Sequence, residues 1–127
     1  RLQADLLRRP SLQLATIAES ENDFVTAFGP NLGASCWRAS AAKRFDPARI
    51  DSINQTLERD WQKIRHQVQA VCRSDAELEG ALKAVGAPVT HGDAGVPDAL
   101  YQDAVANARR IRDRFTSLDL IAMAVPS

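Results

Sequence analysis

This 127-residue chain has only two cysteines and two histidines, and it carries no excess of charge of either sign. Its two cysteines, Cys36 and Cys72, form neither a CxxC pair nor the dense framework of a disulfide-stapled domain. We expect both to be reduced core thiols of a cytoplasmic protein. Because 16 basic residues balance 16 acidic ones, the composition gives no reason to expect a nucleic acid or an anionic membrane as partner.

Long hydrophobic runs are also missing. The longest, residues 118–125, is interrupted by Asp119 and is far shorter than the roughly 20 residues that span a bilayer. We recognise no signal peptide, and the first residue is Arg1 instead of Met. The chain could therefore be a processed protein, a designed one or a fragment, and we favour a fragment that folds as a single domain over residues 1–127.

Helical periodicity dominates the sequence, and no window sustains the period-2 alternation of a strand. The clearest helix covers 47–72, with Asp46 as N-cap and Pro47 at its first position. An apolar residue recurs on it every three or four positions, which places one stripe along the helix. We expect Trp61, on this stripe, to be buried. The stripe comprises Ile50, Ile53, Leu57, Trp61, Ile64, Val68 and Val71.

Further helices are predicted on both sides of this one. Residues 74–77 form an S-x-x-E capping box that opens a helix ending near Gly86. A long helix is predicted from Pro97 to about Phe115, followed by a short one over 117–124 that Thr116 caps. Earlier in the chain, residues 2–9 and 11–18 also fit helices, 23–28 is a short apolar stretch, and a further helix is predicted over 32–44. The prediction is an all-α, compact bundle of six to seven helices.

The motifs that usually mark enzymatic chemistry are absent. We find no GxGxxG, P-loop, HExxH or GxSxG motif. His66 is expected at the surface of the long helix. His91 and Asp93 lie together in a loop and could supply two metal ligands, but a metal site needs three or four and no third is evident.

An arginine-rich segment, residues 108–116, is the most informative polar stretch. On a continuous helix, Arg109 and Arg110 point away from the apolar arc and are expected to be solvated, whereas Arg112 and Arg114 fall at its two edges. A partly buried guanidinium needs a partner. For Arg112 this could be a structural ion pair or cap, or a group at a ligand site or domain interface, and both remain open.

Two stretches of the chain resemble one family. Residues 28–37, FGPNLGASCW, followed by AAK at 41–43, are similar to a helical region of the glycerol-1-phosphate dehydrogenases. Residues 108–120, ARRIRDRFTSLDL, resemble the closing signature of that family, IRDR(F/Y)T-x-LD. The GAP turn at 86–88 and the GVP at 95–97 match in order. The resemblance covers about residues 28–120, and the closing signature is its most specific part.

This resemblance implies a two-domain enzyme of the iron-containing alcohol dehydrogenase and dehydroquinate synthase-like superfamily. An N-terminal α/β domain would bind NAD(P), and the C-terminal helical domain would help to hold a divalent metal, Zn, Ni or Fe. The family reduces dihydroxyacetone phosphate to sn-glycerol-1-phosphate, with the metal polarising the ketone. The ligands of that metal (one Asp and two His) and the Gly-rich nucleotide loop lie upstream of the matching region. No catalytic, cofactor-binding or metal-binding residue is therefore assigned to this chain.

Four residues are carried over from the closing signature as signature or interface candidates without an assigned role: Arg112, Asp113, Arg114 and Thr116. We interpret the chain as the distal helical part of such a dehydrogenase, structural rather than catalytic by itself. Its partners would be the missing nucleotide-binding domain or another subunit, with no nucleic acid and no membrane. The alternative is a free-standing helical interaction module, in which the long helix from Pro47 docks a partner helix.

Overall fold

The computed structural model describes the backbone of residues 2–126 and the side chains of residues 4–126. Within that part of the chain the regular structure is helical, with a single isolated bridge between Leu14 and Ala124. The all-α bundle and its predicted number of helices are confirmed. In chain order the helices are α1 (Leu2–Arg8), α2 (Glu21–Phe28), α3 (Pro30–Ala39), α4 (Pro47–Val71), α5 (Asp75–Ala84), α6 (Asp98–Asn107) and α7 (Ser117–Met123). Short 3₁₀ turns extend α3 over Ser40–Lys43 and α6 over Ala108–Ile111.

Helix α4 begins and ends as the sequence predicts. The Asp46 carboxylate accepts the Arg49 backbone N–H at 2.7 Å, and Pro47 follows at the first helical position, where no amide donor is needed. The predicted apolar stripe is buried at Ile50, Leu57 and Trp61. It continues beyond the core, since Val71 at the last turn is 82% exposed.

The main core lies where α4 packs against α1, the segment that follows α1, and α7. Trp61 is 4% exposed, which confirms its predicted burial. Its indole Nε1 donates to the Arg9 carbonyl at 3.0 Å, so the polar end of the ring is also satisfied. The buried residues of this core are Leu6, Leu7, Leu12, Leu14, Ile50, Leu57, Trp61 and Met123.

Residues 9–17 are an extended segment, and the helix predicted over 11–18 is wrong. Pro10 ends α1, and beyond it Leu12 and Leu14 point inward while Gln13 between them is exposed. Two inward residues separated by one outward residue are the pattern of extended chain. The run is too short to stand out as an alternation in the sequence.

Backbone groups of this segment form hydrogen bonds with a side chain of α4 and with the backbone near α7. The Asn54 amide binds Leu14 twice, donating to its carbonyl at 2.9 Å and accepting its N–H at 2.8 Å. On the other side, Ala15 donates to the Met123 carbonyl and Val125 to that of Gln13, both at 2.8 Å. The backbone groups of this segment at Gln13, Leu14 and Ala15 thus find partners without being part of a helix or sheet.

Helices α2 and α3 form a closely packed hairpin around Gly29 and Gly33. Gly29 turns the chain at a φ of 80°, which a residue with a side chain rarely adopts. A Cβ atom on Gly33 would lie 2.5 Å from Val25 Cα and 2.6 Å from the Phe24 carbonyl oxygen. The absent side chain therefore lets the two helices approach and bury Phe24, which is 1% exposed.

The long helix predicted from Pro97 to Phe115 is shorter than expected. Helix α6 ends at Asn107, a 3₁₀ turn follows, and Arg112 is extended at φ −111° and ψ 140°. The Arg109 carbonyl accepts the Lys43 ammonium at 2.5 Å, and the two arginine side chains of the turn bind Glu19. Tertiary polar contacts thus outweigh the helical pattern at this point.

Helices α5 and α6 lie at the surface and bury none of their residues. The predicted capping box of α5 is confirmed, with Ser74 and Glu77 bonded reciprocally. Several large apolar side chains here face solvent, among them Leu78 at 52% and Leu100 at 59% exposure. Cys72, just before α5, is exposed, so its predicted core position is wrong; it follows the last turn of α4, beyond the buried part of the stripe. Cys36 is buried as expected.

Candidate functional site

Five charged side chains from four parts of the chain meet between α3 and α7, and we call them the charged cluster. The extended segment leads to Glu19, the 3₁₀ turn after α3 carries Lys43, the turn after α6 carries Arg109 and Arg110, and α7 carries Asp119. All five side chains are largely shielded from solvent, with exposures between 4% and 21%. The cluster joins both stretches that carry the family resemblance.

Lys43 and Asp119 form the buried half of the cluster. Their side chains are 6% and 4% exposed, and Lys43 Nζ lies 3.1 Å from Asp119 Oδ1. The second carboxylate oxygen of Asp119 accepts the Thr116 N–H at 2.8 Å and its hydroxyl at 2.9 Å, which caps α7. The ammonium also donates to the Arg109 carbonyl. Both charges are therefore paired and hydrogen-bonded, as burial of charge requires.

Glu19 binds the two arginines of the cluster. Its Oε1 accepts from Arg109 Nη2, and from Arg110 through Nε at 2.8 Å. Arg110 also donates to the Asn107 side chain at 2.7 Å. The expectation that Arg109 and Arg110 are solvated is wrong, because the break in the helix after Asn107 turns both side chains inward toward Glu19.

An aromatic wall flanks the cluster. Phe24 and Trp37 meet edge to face with ring centroids 5.3 Å apart. The Arg110 guanidinium lies 5.3 Å from the Phe24 ring centre, and that of Arg44 lies 3.6 Å from the Trp37 ring centre. Arg44 also donates to the Trp37 carbonyl at 2.6 Å. Trp37, in the family-like stretch of α3, thus contacts Phe24 and Arg44 beside the cluster.

A small cavity of about 60 Å³ opens within the cluster. Its polar lining includes Lys43, Arg44, Arg109 and Arg110. Its apolar lining includes Phe24, so water has limited access to the charges. This arrangement can bind negatively charged groups. The carboxylates of Glu19 and Asp119 are already bound in this way.

The four signature residues singled out in the sequence do not come together in one site. The side chains of Arg112, Asp113 and Arg114 are exposed, and the Arg114 Nε lies 4.0 Å from Asp113 Oδ1, which is a weak surface contact. Arg112 therefore does not have the partly buried position expected on a continuous helix. Thr116 is the exception, because it caps α7 and touches the charged cluster through Asp119. Its role in the structure is that of a capping residue.

His91 and Asp93 point to different partners in the loop before α6. His91 Nε2 lies 2.7 Å from Asp98 Oδ1, and its ring stacks on Tyr101 with centroids 4.2 Å apart. Asp93 instead accepts the backbone N–H groups of Thr90 and Val89, and the Thr90 bond holds the pKa of that carboxyl below its usual range. Among the described residues, no three His, Cys, Asp or Glu side chains group as metal ligands. His66 is exposed, as predicted.

A broad open groove of about 610 Å³ lies between α5, the loop at 89–91 and α7. Its walls are mainly apolar and include Leu78, Leu82, Tyr101 and Ile121. This groove and the charged cluster are separate features of the molecule.

Comparison of the chain with models of protein families, with curated proteins and with solved structures finds no match. Among the described residues, no helix is both long and apolar enough to cross a membrane.

Proposed function

We propose that this chain is the distal C-terminal helical part of a metal-dependent, NAD(P)-linked glycerol-1-phosphate or related polyol dehydrogenase. Its role there is structural: it packs beside the metal-bearing helices and the nucleotide-binding domain. NAD(P) and the divalent metal, Zn, Ni or Fe, belong to other parts of that enzyme, which we place in the cytoplasm.

The observation that carries this proposal is the meeting of the two family-like stretches. Lys43 ends the AAK that follows the first stretch, and Asp119 lies in the LD of the closing signature. They are 76 positions apart in sequence, yet they form a buried ion pair. A sequence signature whose members bind each other has a physical basis, because losing one partner leaves a buried, unpaired charge.

The surface of α5 and α6 supports the same proposal. Leu78, Leu82 and Leu100 are each at least 40% exposed on helices that bury nothing in this chain. Leu78 and Leu82 also line one groove, and contiguous apolar surface of that kind usually marks a contact with another domain or subunit. The missing domain or a second subunit of the dehydrogenase is the partner that we infer for it.

The proposal is tested on the full-length product of the source reading frame. That product should have a mass on the order of two domains and should oxidise NADH or NADPH with dihydroxyacetone phosphate when Zn, Ni or Fe is supplied. Chelation should abolish the activity, and adding back one of these metals should restore it. A reading frame without an upstream Asp, two His and a Gly-rich loop, or a product inactive with every metal, would overturn the proposal.

A matched pair of variants separates the structural role from a catalytic one. Lys43→Met should lower the melting temperature of the full-length enzyme and the fraction of active protein, while the KM of the surviving fraction stays unchanged. Arg59→Gln, at an exposed ion pair on α4, should leave the melting temperature, the fraction of active protein and the KM unchanged. A raised KM in stable Lys43→Met enzyme would place this residue at the substrate instead.

A free-standing interaction module is the second candidate, and the open apolar groove beside α5 favours it. A groove walled by Leu78, Leu82, Tyr101 and Ile121 is the kind of surface that receives the apolar face of a helix. Under this proposal the reading frame encodes a product of the same mass as this chain. A product of that mass that remains a monodisperse monomer and binds no apolar probe would count against it.

A further inference from the structure

We propose that the small cavity in the charged cluster is a binding site for a phosphate group. The cavity is lined by four cationic side chains, Lys43, Arg44, Arg109 and Arg110, and by two carboxylates, Glu19 and Asp119. The lining therefore carries an excess of two positive charges. This inference stands on the charge and shape of the cavity and does not depend on the proposed dehydrogenase function.

The excess charge is costly where it lies. Arg109 and Arg110 are only 14% and 21% exposed, and Phe24 in the wall of the cavity is 1% exposed. Charges in such surroundings repel each other more strongly than at an open surface, because the local dielectric constant is lower. Glu19 and Asp119 offset two of the three shielded cations, which leaves one shielded positive charge beside that of the exposed Arg44. A bound anion offsets the shielded charge.

Donors remain available for such an anion. Among the described residues, the Arg109 guanidinium is bonded through Nη2 alone, to Glu19, which leaves Nε and Nη1 for another acceptor. No fully buried side-chain nitrogen or oxygen in the described chain lacks a partner, so these two donors are accessible to solvent, and Arg109 lines the cavity. Guanidinium groups bind phosphate oxygens through two parallel N–H bonds, which suits arginines at this position.

The size of the cavity limits the ligand. About 60 Å³ is the room of roughly four or five water molecules, which suits the four oxygens of a tetrahedral anion and not a nucleotide. Arg44 lines the cavity and is exposed, so it lies at the opening. A phosphate monoester would therefore place its phosphoryl group inside and its organic part outside.

The test is thermal unfolding of the 127-residue chain against increasing inorganic phosphate, with ionic strength held constant by sodium chloride. A ligand that binds only the folded state raises the melting temperature progressively, and calorimetric titration then gives the affinity. Arg44→Gln and Arg109→Gln should each weaken binding about tenfold or more, since each removes a charged donor. Arg59→Gln, far along α4 at an exposed pair, is the matched control and should bind like the wild type.

A third variant keeps the proposal testable if an arginine variant fails to fold. Glu19→Gln retains an acceptor for both arginines and removes one competing negative charge, so phosphate should bind roughly fivefold more tightly. A purely structural cluster predicts the opposite pattern, a less stable protein with no phosphate response. A parallel titration with glycerol phosphate distinguishes the sources: tighter binding than inorganic phosphate indicates a monoester, and equal binding indicates recognition of the phosphoryl group alone.

Two results would overturn the assignment. One is a phosphate effect no larger than that of chloride at the same ionic strength. The other is a phosphate effect that is unchanged in Glu19→Gln and in whichever of Arg44→Gln and Arg109→Gln folds.

Discussion

Lys43 and Asp119 show how a single buried ion pair can fix several parts of a fold. The ammonium bridges the turn after α6 to α7, and the carboxylate also caps α7. Replacing Lys43 with Met should cost about 3–5 kcal/mol of unfolding free energy, because Asp119 is left charged and buried without its partner. Urea unfolding followed by far-UV circular dichroism measures the loss.

The double variant Lys43→Met with Asp119→Asn is the control for this explanation. It removes the orphaned charge while keeping an acceptor for Thr116, so it should recover part of the stability lost in Lys43→Met. If Lys43→Met alone is within about 1 kcal/mol of the wild type, the pair is not the constraint that its burial suggests.

Trp61 is the residue for which the sequence alone gives the clearest expectation. Trp61→Ala should destabilise the fold by about 3–5 kcal/mol through the cavity it leaves. Trp61→Phe keeps most of the packing and loses the bond from Nε1 to the Arg9 carbonyl, so it should cost only about 1–2 kcal/mol. Equal losses in the two variants would mean that the hydrogen bond, and not the packing, dominates.

The arginines mark the limit of prediction at the scale of the residue. Helical periodicity places Arg112 at a buried edge and Arg109 and Arg110 in solvent, and the structure reverses this arrangement. The reason is Glu19, which binds Arg109 and Arg110 from 90 and 91 positions away in sequence. A pattern of neighbouring residues cannot predict a partner that lies so far away in the sequence. The pairing of Thr116 with Asp119, three residues apart, could be read as a helix start.

At the scale of the element, the α2–α3 hairpin depends on one missing side chain. Gly33→Ala places a Cβ against the backbone of α2, which cannot move aside as a side chain would. We expect a loss of about 1–3 kcal/mol from this overpacking, despite the better helix propensity of alanine. Chemical denaturation measures it.

Gly80 in α5 provides the matched control for Gly33. A Cβ at Gly80 meets nothing within 4 Å, so Gly80→Ala should stabilise the chain by about 0.5–1 kcal/mol through helix propensity alone. Opposite signs at the two glycines support close helix packing at Gly33. The same sign at both would contradict it.

The capping box of α5 should make its first turn sensitive to acid. The bonds from the Ser74 N–H and hydroxyl hold the pKa of Glu77 below the ordinary value of 4.5. A folded pKa below the unfolded one means that the stabilisation is complete above the ordinary value and is lost as pH falls through the lowered one. An NMR titration of the Glu77 side chain should show the lowered pKa. Glu77→Gln should abolish the pH dependence of the Ser74 amide shift, and a Glu77 midpoint at or above 4.5 would contradict the assignment.

Local and distant signals explain which elements the sequence predicts. The start of α4 depends on Asp46 and Pro47, which are adjacent to it, so that start could be predicted correctly. The extended segment at 9–17 depends on Asn54 and Met123, which lie far away in sequence, so its helical prediction fails. The charged cluster fails in the same way, because its members come from four separate parts of the chain.

The whole molecule has an uneven distribution of burial. Helices α1, α4 and α7 surround the main core, whereas α5 and α6 carry exposed leucines and bury nothing. A protein built this way should not open uniformly, because local unfolding begins where few apolar contacts are lost. The exposed side is also where another domain, a second copy or a separate partner would add the contacts that these helices lack.

Native-state hydrogen exchange tests this unevenness directly. Amides in the middle of α4, near Leu57 and Trp61, should exchange only through global unfolding and respond strongly to added denaturant. Amides of α5 and α6 should exchange through local openings of smaller free energy that hardly depend on denaturant. If α5 and α6 were instead as protected as α4, their apolar faces would have to be covered in solution. Repeating the experiment at a tenfold lower protein concentration would then identify the cover, since protection given by a second copy falls on dilution and protection given within one chain does not.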